Sequence, residues 1–184
     1  MEFALDLAVS LLSLIVVGFY TWSLRGHFSS PRMAAGAKAI SAVVIATTLF
    51  FLYLAWSEHQ QPWVQIVGLL IEVSAAILFW WAVLASRKAR LRFAFDPDHP
   101  DSIVTTGPYR HLRHPFYTSY LMFWSGWAIA SSSTWAIFPV VFFVIVYVKA
   151  ALGEEKKFSM SPLAPEYAAY RRKAGFLIPR FDQR

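Results

Sequence analysis

Five long apolar runs constrain this chain more than any other feature. A helix needs about 20 mostly apolar residues to cross the ~30 Å hydrocarbon core of a bilayer. Residues 3–22, 39–56 and 64–85 have that character, and residues 115–131 and 134–152 supply a shorter fourth run and a fifth. Composition agrees. Of 184 residues, 57% are hydrophobic and 15% charged, against roughly 25% charged in an ordinary soluble domain. The expected fold is therefore all-α, a polytopic membrane protein with about five transmembrane helices. The last two would form a helical hairpin, followed by a cytoplasmic C-terminal helix. The first run lacks the short apolar centre and small-residue cleavage site of a secretory signal, so it reads as a retained helix. No internal repeat or low-complexity linker interrupts the chain. It reads as a single membrane domain over 1–184, with three spans in 1–85 and the loop, hairpin and tail in 86–184.

The basic residues set an orientation. On a five-span model all 17 Lys and Arg fall on one side of the membrane, in the loops after the first and third spans and around the end of the fifth. The opposite side holds Glu2, Glu58, His59 and the neutral turn Ser131-Ser132-Ser133. The positive-inside rule then puts the N-terminus outside and the C-terminus in the cytoplasm, and Trp22, Trp56, Trp63 and Trp135 near span ends fit an interfacial aromatic belt. The net charge of +6 is thus membrane anchoring rather than a nucleic-acid footprint, which would need cations clustered on a folded domain. The absence of cysteine removes disulfides, thiolate nucleophiles and Cys-based metal sites.

Two polar clusters on the cytoplasmic side stand out. Gly107-Pro108-Tyr109-Arg110-His111-Leu112-Arg113-His114-Pro115-Phe116-Tyr117 begins with a turn signal, and Pro115 suits the first position of the fourth helix. His114 then falls at the cap, beside backbone donors that form a ready anion site; a snorkelling arginine and a plain structural cap account for the same spacing. Glu154-Glu155 oppose the macrodipole at the end of the fifth span, which ion pairing with Lys149, Lys156 or Lys157 would relieve. Adjacent helix positions point about 100° apart, so one carboxylate is expected to face inward and the other outward. Equal counts from the turn near Ser132 set Glu154 level with about residue 110, roughly 10 Å beyond Tyr117, so the loop through Tyr109, Arg113 and His114 can meet the acidic pair across a short gap.

Other features carry less. His111 and His114 would suit a metal only on a shared helix, which Pro115 argues against, so no metal is expected. Glu72 lies within the third span, where a carboxylate is a functional candidate by default, yet it sits toward the outer half and a bundle hydrogen bond accounts for it. The stretch 96–101, rich in Asp and Pro, marks turns. Residues 165–173 read as a short helix with Tyr167 and Tyr170 on one face, either lying on the lipid surface or closing over a site.

Together these residues resemble the membrane methyltransferases related to isoprenylcysteine carboxyl methyltransferase and phospholipid N-methyltransferase. The shared pattern is G-P-Y, then R-H-P-x-Y at the start of a helical hairpin, then E-E at its end, then Y-x-x-Y. Here it is Gly107-Pro108-Tyr109, Arg113 to Tyr117, Glu154-Glu155 and Tyr167 to Tyr170. The resemblance implies S-adenosylmethionine as methyl donor, bound by Asp101, Ser102, Ile103, Val104, Tyr109, His114, Pro115, Phe116, Tyr117 and Glu154. It also points to Arg113, Glu155 and Lys149 as catalytic candidates, and to a lipophilic acceptor reached from the bilayer, with membrane lipids as partners and no nucleic acid. Aromatic faces suit a sulfonium, a carboxylate suits the donor's ammonium, and a helix N-terminus suits its carboxylate.

Two departures narrow the acceptor. Ser119 stands where the family usually has glycine. Ala150 stands where the prenylcysteine enzymes bind the substrate carboxylate with arginine, so carboxyl methylation of a prenylcysteine is disfavoured against an amine, a thiol or another lipid. A membrane reductase using NADPH resembles the same region, but typically with Asn where this chain has Phe116. A non-catalytic scaffold would be expected to lose His114 or Glu154, and both are present.

Overall fold

The computed structural model describes residues 2–26, 35–57, 59–87 and 102–181. Asp101 and the turn-rich stretch 96–101 lie outside the described residues. Among the described residues six α-helices follow in order: α1 Glu2–Gly26, α2 Ala35–Ser57, α3 Pro62–Ser86, α4 Pro115–Ser131, α5 Ile137–Ser159 and α6 Ala164–Lys173. Short 3₁₀ turns at Gly107–Arg110 and Thr134–Ala136 precede α4 and α5. Prolines open α3, α4 and α6 in their first two positions, where a missing N–H leaves no helical bond unmade. Among the described residues no strand forms, and a single bridge pairs Leu112 with Gly175.

Four segments, Phe3–Ser23, Ala39–Ser57, Pro62–Ser86 and Thr134–Ser159, are long and apolar enough to cross a membrane. The chain is an integral membrane protein. The fourth expected run became α4, whose 17 residues reach about 25 Å at ~1.5 Å per residue. This helix has little outer surface to match to lipid, because α1, α2, α3 and α5 all pack on it. Trp124, Trp127 and Phe123 of α4 are fully buried: both tryptophans pack on Phe51 of α2, Trp124 stacks on Phe143 of α5, and Phe123 packs on the two tryptophans. Lipid tails are as apolar as these rings, so close packing rather than water exclusion holds the helices together.

Small residues allow the closest approach. A Cβ on Gly68 of α3 would stand 2.5 Å from the Gly126 carbonyl oxygen of α4 and 2.6 Å from the Ala130 Cβ. Beside that crossing α1 meets α3 at a constant offset of 59 residues: Asp6 with Gln65, then Ser13 with Glu72. Tyr20 against Phe79, with ring centroids 4.8 Å apart, adds a third rung at the same offset. Steps of seven residues along two parallel helices are the signature of a coiled-coil seam. Glu72 is the middle rung. The Ser13 hydroxyl donates to its Oε2 at 2.8 Å while Oε1 has no partner, which is the bundle hydrogen bond its position suggested.

Candidate active site

The C-terminal ends of α3 and α5 and the N-terminal end of α4 meet at one end of the bundle. The turn Gly107–Arg110 is wedged there. Gly107 has φ +59°, and a Cβ on it would stand 2.7 Å from the Ala85 Cβ of α3, so only glycine fits both the backbone and the space. Tyr109 is thereby buried, with its hydroxyl in hydrogen-bonding reach of Ser86. Burial pushes that hydroxyl's pKa well up, so Tyr109 stays neutral.

His114 occupies the N-cap of α4, with no side-chain cap to the helix, and is buried between the two glutamates. Its Nδ1 lies 3.3 Å from Glu154 Oε2 and its Nε2 lies 3.4 Å from Glu155 Oε1. Burial alone would lower the His114 pKa, but the two carboxylates outweigh it and hold the value above that of an ordinary histidine. Facing acceptors on both ring nitrogens call for both N–H groups, which only the imidazolium has.

The glutamates divide by burial. Glu155 has a side chain 7% exposed and is ringed by cations, with Arg113 Nε 2.8 Å from Oε1 and Arg171 Nε 3.4 Å from Oε2. The Arg113 Nε–H is not aimed along its short contact, so that contact is Coulombic. Its Nη1 donates to the Arg171 and Ala174 carbonyls at 3.1 and 3.4 Å. Glu154 is 26% exposed, and its Oε1 accepts from the Tyr117 hydroxyl at 2.6 Å.

Two expectations are corrected here. Glu154 bonds Tyr117 directly rather than lying a further 10 Å away. The turn between Ser131 and Ile137 takes up residues that an equal count from Ser132 assigns to helix; counted from the helix ends, Glu154 is level with His114, and two long side chains bridge the remaining turn. The two carboxylates also do not face inward and outward. Three-bond side chains bend back from positions about 100° apart to reach opposite edges of one imidazole.

Aromatic rings back the cluster. His114 stacks on Tyr117 at 5.7 Å, Tyr117 on Tyr147 at 5.6 Å, Tyr147 on Phe143 at 5.6 Å and Phe143 on Trp124 at 4.5 Å. This column runs along the α4–α5 interface and fixes where Tyr117 can point. Phe176 adds a wall, edge-on to His114 at 5.2 Å and 5.4 Å from the Arg113 guanidinium carbon.

The remaining expected residues are placed as follows. Pro115 and Phe116 are buried in the first turn of α4, and the Phe116 ring packs on Phe79 at 5.5 Å, inside the bundle rather than beside the glutamates. Ser102, Ile103 and Val104 are half-buried, with Ile103 against Tyr167, Tyr170 and Ala174 and Val104 against the main core. Lys149 projects from the exposed face of α5, whereas Ala150 is buried. His111 caps the 3₁₀ turn and packs on Phe181, so it shares no helix with His114. The tyrosine face of α6 is turned onto the protein: Tyr170 donates to the Tyr109 and Leu112 carbonyls at 2.8 and 3.2 Å, and Tyr167 stacks on Phe158. This is the closing arrangement rather than a helix with its apolar face in lipid.

Sequence reasoning missed Arg171, Phe176 and Tyr147 as members of the cluster. Tyr147 stands seven residues before Glu154, a heptad spacing that puts both on one face of α5. Arg171 sits in a run of cations and Phe176 beyond the tail helix, with no local signal separating either from its neighbours.

The fold and site define an integral membrane helical bundle with a buried ionic and aromatic cluster at one end. A family model described as phospholipid methyltransferase matches residues 63–161, which is 99 of the 184 residues, and the chain belongs to that family. The matched region runs from α3 through α5, including Gly107 to Tyr117 and both glutamates, and stops short of α6. No curated protein and no solved structure matches the chain.

Proposed function

We propose that this protein transfers a methyl group from S-adenosylmethionine to a lipophilic acceptor held in the bilayer, at the cytoplasmic end of the bundle. The observation that carries this reading is the Tyr117–Glu154–His114 contact set at the α4 N-terminus. There a partly exposed carboxylate, stacked aromatic rings and a helix end without a side-chain cap lie together. Those are the three features the donor requires: an acid for its ammonium, π faces for its sulfonium and backbone donors for its carboxylate. Membership of the phospholipid methyltransferase family supports the same chemistry, and the distribution of Lys and Arg supports the cytoplasmic side.

When bound, S-adenosylmethionine supplies an activated methyl open to direct displacement, with no covalent enzyme intermediate required. The chain's own contribution is then positioning and charge. Glu154 and Tyr117 present the binding edge. His114, held as a cation, links Glu154 to Glu155. Arg113 and Arg171 neutralise Glu155, so that the buried carboxylate orients His114 instead of competing for the ligand's cation. Lys149, on the exposed face of α5, takes no part in this reading. The small buried Ala150 leaves room but no charge for an acceptor headgroup, which disfavours a carboxylate acceptor.

The test is calorimetric titration of S-adenosylmethionine, with NADPH alongside, into detergent-purified protein. Saturable binding of the former is expected, weakened by about ten-fold or more in Glu154→Gln, since a hydrogen bond to a charged group contributes ~1.5–3 kcal/mol. Binding of NADPH alone would replace the reading with a reductase. Binding of neither by folded protein would replace it with a non-catalytic scaffold.

A further inference from the structure

Beyond α6 the chain doubles back as a strap, residues 174–181, along the Gly107–His114 segment. Arg113 N–H donates to the Gly175 carbonyl at 2.8 Å, and Gly175 N–H to the His111 carbonyl at 2.9 Å. Arg180 N–H reaches the same His111 carbonyl at 3.0 Å, and the Thr118 hydroxyl donates to the Leu177 carbonyl at 3.0 Å. The bend is tight: a Cβ on Gly175 would run into the Ile178 carbonyl oxygen. One consequence is that Ile178 and Phe181 project outward, 81% and 75% exposed.

Their depth distinguishes them from ordinary surface residues. Leu177 is bonded to Thr118, which lies within the first turn of α4. Phe176 touches His114, and α5 continues past Glu155 to Ser159. The strap thus runs level with the ends of the spans rather than out in solution. At the same end Trp22 and Trp80 are exposed and in contact, and Trp81 abuts Gly107; such rings settle at the membrane–water boundary. The apolar tips are flanked by exposed Arg110, Arg172, Lys173 and Arg180, and Glu166 is the one exposed acid of this end among the described residues.

We infer that the strap docks on the headgroup layer of an anionic bilayer, with Ile178 and Phe181 in the acyl boundary and the arginines and Lys173 on lipid phosphates. Exposed apolar side chains beside clustered cations are the composition of an interfacial anchor. Because Gly175 and Phe176 hold Arg113 and wall His114, lipid docking also steadies the ionic cluster. The docking holds whether or not the cluster transfers methyl groups.

The chain has no cysteine, so Ile178→Cys supplies a unique thiol for a nitroxide label. The labelled protein is placed in nanodiscs of phosphatidylcholine with or without phosphatidylglycerol. Collision with oxygen and with a water-soluble nickel complex then reports depth. The expected result is a label favouring oxygen over nickel, more strongly with phosphatidylglycerol. In Arg172→Gln/Arg180→Gln that lipid dependence should weaken by about thirty-fold in the docking equilibrium, two cations' worth at the surface. A label equally open to nickel in both lipids would overturn the inference, as would one shielded from both reagents, which would mean that another protein surface covers the strap. Neither reading depends on donor binding, so failure here is separable from failure of the proposed activity.

Discussion

Neutralising one glutamate of the adjacent pair should damage the fold, while neutralising the other should not. Glu155 is nearly buried and faces Arg113, Arg171 and His114, so Glu155→Gln strands His114 and Arg113 where little water reaches them. Removing one partner of a buried ion pair costs about 3–5 kcal/mol. The lower end applies, since Arg171 is half in solvent and Arg113 keeps two backbone carbonyls. The expected loss is therefore about 3 kcal/mol. Glu154→Gln retains an amide oxygen that can accept from Tyr117, and its site is open enough for water to screen the change, so under about 1 kcal/mol is expected. Unfolding in mixed micelles of mild detergent and dodecyl sulfate measures both. A double variant, Arg113→Met with Glu155→Leu, should lose less than the two single variants together, because the stranded charge disappears with its partner. Equal destabilisation by Glu154→Gln and Glu155→Gln, or a Glu155→Gln protein within about 0.5 kcal/mol of the parent, would refute the assignment of Glu155 as the buried anchor.

Two further tests address other parts of the molecule. The folded protein favours protonated His114 more than the unfolded chain does, so the corresponding stability is fully present below the ordinary histidine pKa of about 6.5 and is lost as pH rises through the higher folded value. Melting curves should therefore fall from near neutrality upward in the parent and much less in His114→Gln; parallel pH profiles would remove the charge from His114. Gly68→Ala should force α3 and α4 apart at the Gly126 carbonyl, lowering stability by about 1–3 kcal/mol as overpacking does, whereas Gly153→Ala, inside α5 with open space around it, should raise stability by up to about 1 kcal/mol in the same unfolding assay.

The spans were legible because a bilayer imposes a minimum length of apolar sequence that little else requires. Residues 64–85 became Pro62–Ser86 and residues 115–131 became Pro115–Ser131, with proline marking the starts. The fifth helix ran two turns further than its apolar run, to Ser159. Glu154 and Glu155 were expected at its end, yet α5 carries them inside it, with His114, Arg113 and Arg171 as partners that apolar periodicity does not register. The same limit governs the cluster. Its members on α4 and α5 could be paired from hairpin geometry, while Arg171 arrives on α6 and Phe176 on a strap whose path depends on one bend at Gly175. The direction taken by two adjacent glutamates was illegible for a different reason: backbone period fixes where a side chain leaves the helix, not where a flexible one ends.

The ionic knot around Glu155 also sets an order of events during assembly. Helices α1 to α5 precede Arg171, Gly175 and Arg180 in the chain, so the bundle can pack before those residues are docked. The protein at that stage has a bundle in which Glu155 meets Arg113 and His114 alone, and in which the Gly107–His114 segment lacks the clasps from Tyr170 and Gly175. Completion of this end of the molecule therefore waits on the last part of the described chain. A chain released after truncation within α6 would have the bundle helices but an ionic cluster that is still unfastened.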